Sequence, residues 1–382
     1  MRRSLTALLA ATALSAGSAA PAFAQAEDGL VIESEQAEFR IELLTEGLDY
    51  PWDMEFLPDG AILVSERSGQ LRVFENGALR EAAVAGLPDI HVERQGGLLG
   101  LALHPEFDEN RWVYFSYAAG TSASNATTLG RGRLNADMTA LEEVEELFQV
   151  NFRKQRGFHF GGRITFLDDG TLLLALGDGG GYRDESQNLE NHIGTIVRLD
   201  DDGSLPFDNP WLTTDGVRPE IWSWGHRNIQ GMAINPETGS VWAHEHGARG
   251  GDEINVIEPT LNYGWPAVTY GINYDGSVIS DETHGEGFTQ PIWYWVPSIA
   301  PSGMDFYTGD AFPLWNGDVF VGALAGAMLV RYEVEGDRVI SEEEMLTELG
   351  VRIRAVRTGP DGALYIVTDD SNGQMFRLVP AE

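Results

Sequence analysis

A chain of 382 residues with 59 acidic side chains against 25 lysines and arginines, a formal net charge of −34, repels nucleic-acid phosphates rather than binding them. It has no cysteine, which excludes disulfides, thiolate-held metals and iron–sulfur clusters. Most of so many carboxylates read as a solvated surface, with a few left as hard oxygen donors of the kind Ca2+ takes.

In chain order, residues 1–24 read as a secretory signal peptide. Arg2 and Arg3 form a charged start, the run Leu5 to Leu14 is largely apolar, and Ala22-Phe23-Ala24 supplies a small-residue cleavage pattern. That run is too short to span a bilayer, and no later segment is longer and as apolar. The expectation is a periplasmic protein without membrane insertion, with residues 25–382 as one domain.

A repeat then organises the chain. A short alternating apolar run, a turn of Pro, Asp or Gly, and a second β-rich run recur six times, starting at Met54, Leu101, Ile164, Met232, Met304 and Ala355, between 47 and 72 residues apart. Met54–Val64, with Pro58-Asp59-Gly60 at its turn, and Val356–Val367, with Pro360-Asp361-Gly362, show the unit most plainly. Each copy reads as a hairpin of period-two strands, and blade-sized periods of roughly 40–50 residues with inserted loops characterise propellers. The predicted fold is all-β, a six-bladed β-propeller of four-stranded antiparallel blades. Helical signals are sparse; Glu142–Phe148 is the one segment expected to form a turn or two of helix.

Polar residues interrupting the repeat just before an inner strand belong to one axial pocket if the fold is a propeller. Gln95, followed by Gly96-Gly97, precedes the second copy; alone it reads equally as a surface amide on an interblade turn. His159, before Phe160-Gly161-Gly162, precedes the third and is a proton acceptor or a structural histidine. Arg227-Asn228 precedes the fourth, where clustered donors suit a developing oxyanion or, for Arg227, a structural ion pair. His246 to Asn255, containing Gly247, Ala248, Asp252 and Glu253, and then Asn262-Tyr263-Gly264, mix exposed carbonyls with carboxylates and suit Ca2+ better than a transition metal. Arg352 and Arg354, two apart on a strand, share a face and are ready for carboxylates. Together these ask for an anionic ligand and a proton abstraction.

At this point the chain resembles the soluble PQQ-dependent sugar dehydrogenases, particularly the periplasmic aldose sugar dehydrogenases. The resemblance runs from about Leu48 to Leu378 and rests on ordered strings: QGGLLGLALHPEF from Gln95, HFGGRITF from His159, LGDGG from Leu176, IGTIVRLDDDGSLPFDNP from Ile193, GHRNIQG from Gly225, DEINVI from Asp252, NYGWP from Asn262, WVPSIAPSGM from Trp295 and RTGPDGALY from Arg357. It implies a six-bladed propeller, PQQ and Ca2+ as cofactors, an aldose substrate and a soluble electron acceptor, in a monomer or dimer. By position, it implies His159 as catalytic base, Gln95 beside the quinone, and Arg227 with Asn228 on the quinone oxygens. The carbonyls of Gly247 and Ala248 match ligands of the Ca2+ that holds PQQ; Glu253 and the Tyr263 carbonyl match a second, structural calcium. Arg352 and Arg354 match donors to the PQQ carboxylates. Two positions depart from the pattern: Ala325 stands where relatives carry a cofactor-contacting lysine, and Phe158 where some glucose-oxidising relatives carry an acid.

The expected reaction is oxidation of the anomeric hydroxyl to a lactone, with His159 taking the proton and Arg227 stabilising the quinone oxygen. Two other readings stay open on the residues alone: a calcium-dependent lactonase or esterase propeller, and a binding propeller without a cofactor.

Overall fold

The repeated hairpins turn in one way. In three of them an aspartate side chain accepts the amide two residues on and a glycine follows at positive φ: Asp59 with Ala61, Asp169 with Thr171, and Asp361 with Ala363, with Gly60, Gly170 and Gly362 at φ 85°, 85° and 77°. The Asx bond replaces a missing backbone partner, and only glycine takes that φ without a Cβ penalty.

A computed structural model describes residues 29–381, so the expected leader lies outside the described residues. Strands β1 (Val31–Glu33) and β2 (Glu38–Leu48) come first. The first blade is β3 (Pro51–Phe56), β4 (Ile62–Glu66), β5 (Gln70–Glu75) and β6 (Ala78–Leu79). The second is β7 (Leu98–Leu103), β8 (Trp112–Thr121), β9 (Ser124–Leu134) and β10 (Leu141–Gln149). The third is β11 (Gly161–Phe166), β12 (Leu172–Leu176), β13 (Thr195–Leu199) and β14 (Ile221–Trp224). The fourth is β15 (Ile229–Ile234), β16 (Val241–Glu245), β17 (Asp252–Ile257) and β18 (Trp293–Trp295). The fifth is β19 (Pro301–Phe306), β20 (Val319–Ala323), β21 (Met328–Glu335) and β22 (Arg338–Met345); β23 (Ile353–Thr358), β24 (Leu364–Thr368) and β25 (Gly373–Pro380) complete the chain.

The six-bladed propeller is therefore present, each blade antiparallel, and every repeat start falls on or beside an inner strand. The sixth blade is built from both ends, in the order β1-β2-β25-β24-β23. Consecutive inner strands lie against one another around the ring, β23 finally against β3. Six apolar clusters fill the wedges between neighbouring blades. The wedge between blades five and six is the most aromatic, with Phe39, Tyr307, Phe312, Trp315 and Phe320.

Glu142–Phe148 is not helical; it lies in β10, the outer edge of blade two, paired to β9 with two register shifts. Glutamate's helix preference is worth a few tenths of a kcal/mol and yields to a ladder of strand pairs, while charge on an edge strand discourages intermolecular pairing.

Two features aim side chains at the axis. All six inner strands carry a register shift against their second strand near their N-terminal ends, for example between Gly161 and Ile164 and between Ile229 and Gly231, and such bulges re-aim side chains. Below them Asp53 ties blades together: its carboxylate meets Arg163 at 2.6 Å and Arg357 at 3.0 Å and accepts the Leu101 amide at 3.1 Å. Both Asp53 and Arg163 are fully buried. Asp53→Ala should lower unfolding stability by about 3–5 kcal/mol, because it strands buried guanidinium charge; a guanidinium titration showing less than 1 kcal/mol of loss would contradict the knot's role.

Candidate functional site

The segments preceding β7, β11, β15 and β23 open at one mouth and are joined by side-chain hydrogen bonds. The Gln95 carbonyl oxygen accepts the His159 amide at 2.7 Å. Asn228 Oδ1 accepts the Gly161 amide and Gln230 Nε2, each at 3.3 Å, and Gln230 Oε1 accepts Arg354 Nη1 at 3.2 Å. Arg354 and Arg352 both reach Asp369, at 3.3 and 2.6 Å. Gln95, His159, Asn228, Arg352 and Arg354 thus belong to one continuous site.

Two cavities share this wall. One, of about 510 Å3, is lined by His159, Asp178, Arg227, Ala248 and Trp265, and opens outward past Tyr182, Arg183, Asp184 and Tyr274. The other, of about 520 Å3, is lined by Gln95, Gln230, His246, Arg67, Arg352 and Arg354. His159 and Arg227 face the same space.

His159 holds a backbone φ of 47°, a left-handed conformation that costs a non-glycine residue of order 1 kcal/mol and that clusters at functional sites. Its Nδ1 meets Asp178 Oδ1 at 2.6 Å. Asp178 also accepts the Gly180 amide at 2.7 Å and Trp265 Nε1 at 2.9 Å. Burial lowers the His159 pKa; Asp178 pulls it back up, and Arg227 and Lys154 push it further down, for a net fall. Burial would raise Asp178, but its bond to His159 and the charges of His159 and Arg227 carry it below the usual carboxylate range. The resulting state is an ionised Asp178 accepting from Nδ1–H of a neutral imidazole, which leaves Nε2 as an acceptor.

Arg227 is 5% exposed. Its Nη1 donates to the His246 carbonyl at 2.9 Å and to the Gly247 carbonyl, its amide donates to Glu245, and its guanidinium lies 5.3 Å from the Trp265 ring centre. In the second cavity Arg354 is 9% exposed and its Nε has no hydrogen-bond partner. Burial lowers the Arg354 pKa against the pull of Asp369. Asp369, which burial alone would raise, is brought to about 2 by Arg354 and Arg352. A buried guanidinium with an orphaned donor facing a cavity suits an anionic, multiply carboxylated ligand.

Among the described residues no three His, Asp or Glu side chains converge as a metal cluster, so a cation here needs backbone oxygens beside any carboxylate. The turn at Gly247 requires glycine: a Cβ there would come within 2.2 Å of the Gly250 carbonyl oxygen. The Gly247 carbonyl already accepts from Arg227, so a calcium ion on it must displace or share that donor. Glu253 stands directly opposite Glu245 across β16 and β17; burial and the charge of Glu245 hold its carboxyl well above the usual range. Glu245 also meets His226 at 2.8 Å, whose ring stacks on Tyr263 at 4.7 Å. Two facing carboxylates beside Tyr263, Glu245 buried and Glu253 partly so, fit a hard divalent cation.

Asp178, Lys154 and Asp369 were given no role by the sequence, and Trp265 was placed only in the calcium-candidate stretch, not against Asp178. Asp178 sits in LGDGG and Trp265 in NYGWP, so position in those strings was the available signal. Lys154, buried and donating to the Phe158 and His159 carbonyls, carries no local motif. Of the two departures, Phe158 lies under the Arg94 guanidinium at 5.0 Å, and Ala325 is exposed beside Leu324, whose carbonyl accepts from Arg352 at 3.3 Å.

Residues 48–377 match the model of the family described as glucose/sorbosone dehydrogenase. The chain belongs to that family. It is 43% identical over 349 residues to the aldose sugar dehydrogenase YliI of Escherichia coli strain K12, covering 90% of this chain and 94% of that one. The crystal structure of the soluble aldose sugar dehydrogenase of Escherichia coli in the apo form superposes with a TM-score of 0.87 at 42% identity, over 90% of this chain and all of the other. The PQQ-bound form of an aldose sugar dehydrogenase from Streptomyces coelicolor gives 0.71 at 26% identity, over 90% and 98%. The glucose/sorbosone dehydrogenase family accounts for almost the whole propeller, and the sugar-oxidising class of the chain follows from it.

For this family member the His159–Asp178 pair can be measured without substrate. A histidine NMR titration should place the His159 pKa below the ordinary 6.5. Asp178→Asn removes the negative charge while keeping an amide oxygen that can accept, so it should move the value lower still; a rise would contradict the assigned balance of charges.

Proposed function

We propose that the chain oxidises aldose sugars at the anomeric hydroxyl to lactones, using PQQ held with Ca2+. The observation that carries this reading is His159, bonded to Asp178, sharing a cavity with Arg227 beside a second cavity lined by Arg67, Arg352 and Arg354. When bound, PQQ supplies the two-electron acceptor for the hydride, and calcium supplies a Lewis acid.

The chain's own residues do the rest. His159 Nε2 accepts the hydroxyl proton, and the ionised Asp178 steadies the imidazolium that forms. Arg227 and Asn228 present donors to the oxygen that gains charge; removing one such donor typically costs about 3 kcal/mol. Arg352, Arg354 and Gln95 hold the acidic cofactor, with Arg67 adding a third cation at the mouth. The carbonyls of Gly247 and Ala248 hold one calcium, and Glu253 with the Tyr263 carbonyl a second.

No helix among the described residues is long and apolar enough to cross a membrane. The proposed leader at residues 1–24 directs the remaining single domain to the periplasm, where a soluble acceptor takes the electrons from a monomer or dimer.

The deciding experiment is reconstitution with PQQ and Ca2+, followed by a sugar panel with an artificial acceptor; lactone hydrolysis without PQQ, in the absence of sugar oxidation, would favour the hydrolytic reading instead. His159→Gln should keep PQQ binding, read by absorbance, while kcat falls by roughly 10²–10⁴. Near-parental turnover would remove His159 from the reaction. Because the neutral imidazole is the working form and its pKa is lowered, the acid limb of the pH–rate profile should fall below pH 6.5. Added Ca2+ should raise the melting temperature, by the equivalent of about 2.7 kcal/mol at a hundredfold excess over Kd; Glu253→Gln should lose part of that gain.

A further inference from the structure

The outer wall of the His159 cavity contains side chains that the reaction above does not use. Tyr274 is 73% exposed yet lines this cavity, and its hydroxyl has no hydrogen-bond partner among the described residues. An exposed aromatic ring is ordinary on a loose loop, but this loop is fixed. The Asn273 amide donates to the Ser277 carbonyl and the Gly276 amide to the Asn273 carbonyl, each at 2.9 Å. Asp275 Oδ1 accepts the Ser277 amide at 2.9 Å and its hydroxyl at 2.6 Å. Across the cavity, Arg183 Nη1 donates to Asn273 Oδ1 at 3.1 Å, pinning the Tyr274 turn to the loop that carries Asp184. Asp184 is exposed, lines the same cavity, and likewise has no partner among the described residues.

A pyranose ring has one face of C–H bonds and an edge of hydroxyls. A held aromatic face and a free carboxylate on one cavity wall match both: the ring covers the apolar face and the carboxylate accepts hydroxyl protons in charge-assisted bonds. Depth matters as well, because the His159 side chain is only 12% exposed whereas Tyr274 is 73% exposed. A sugar reacting at His159 and bearing a further unit would extend that unit outward toward Tyr274.

We propose that Tyr274, with Asp184, forms an outer subsite for the second saccharide unit of an oligosaccharide whose reducing end is oxidised at His159. This rests on the sugar-oxidation reading, and it adds a preference for chain length. The ordering entropy of the subsite is already met by the turn and by the Arg183–Asn273 bond, so stacking energy is not spent on fixing the loop.

The test compares glucose, maltose and maltotriose on the PQQ- and Ca2+-loaded full chain. Tyr274→Ala should lower the ratio of kcat/KM for maltose to that for glucose by roughly three- to tenfold, while Tyr274→Phe, which keeps the ring, should retain it. In saturation-transfer NMR, a measurement without turnover, the non-reducing ring of maltose should receive saturation from the parent protein and lose it in Tyr274→Ala. An unchanged ratio in Tyr274→Ala, with both sugars oxidised, overturns the subsite and leaves the oxidation reading standing. Failure of the loaded parent protein to oxidise any of the three sugars overturns the oxidation reading, and the subsite with it.

Discussion

The pairing of β2 with β25 is the constraint on which the ring depends. Five blades are each a continuous stretch of chain and can form from local contacts; the sixth exists only when residues near the start meet residues at the end. The ladder runs from Phe39 opposite Pro380 to Leu48 opposite Gly373, so closure is secured by many weak bonds in parallel. It also places β23 against β3, and only then do the last inner strand and the first complete the axial wall. Arg352 and Arg354 come from one side of that seam and Arg67 from the other, yet all line one cavity.

Closure brings six inner strands together, and these carry charge. Asp53, Glu55, Asp305, Arg163 and Arg357 all face the axis in surroundings where an unpaired ion costs several kcal/mol. The arrangement answers this with pairing across blades: Arg163 and Arg357 share Asp53, and Arg357 also reaches Glu55 at 3.5 Å. Burial still pushes Glu55 up to about 7, the residual cost of three acids against two arginines. Such a network contributes little net stability compared with an apolar core, but it works only when all contributing blades are in register. It therefore rewards the closed ring over partly assembled ones.

The fold was legible because a propeller repeats its signal. A single alternating run such as Met54–Val64 is weak evidence; six with Asp–Gly turns leave little else. The failure at Glu142–Phe148 has the same origin in reverse, since an edge strand meets solvent on most of its surface and carries no buried alternation to reveal it. In the site, residues at blade mouths were legible by position. Asp178 and Asp369 were not, because each lies at or just beyond the C-terminal end of a second strand and reaches its partner across a hairpin. Lys154 was hidden for a different reason: its ammonium nitrogen lies over the Phe160 ring, 3.3 Å from the centre, a tertiary packing that no spacing announces.

The charge of the site runs against that of the chain. A protein with a net charge of −34 gathers Arg67, Arg227, Arg352 and Arg354 around two neighbouring cavities, with Lys154 buried behind His159. These cations do two jobs that pull on each other. They attract an acidic ligand, and through Arg227 and Lys154 they lower the basicity of His159. Asp178 offsets part of that loss, and an anion seated beside Arg227 would offset more by screening that charge.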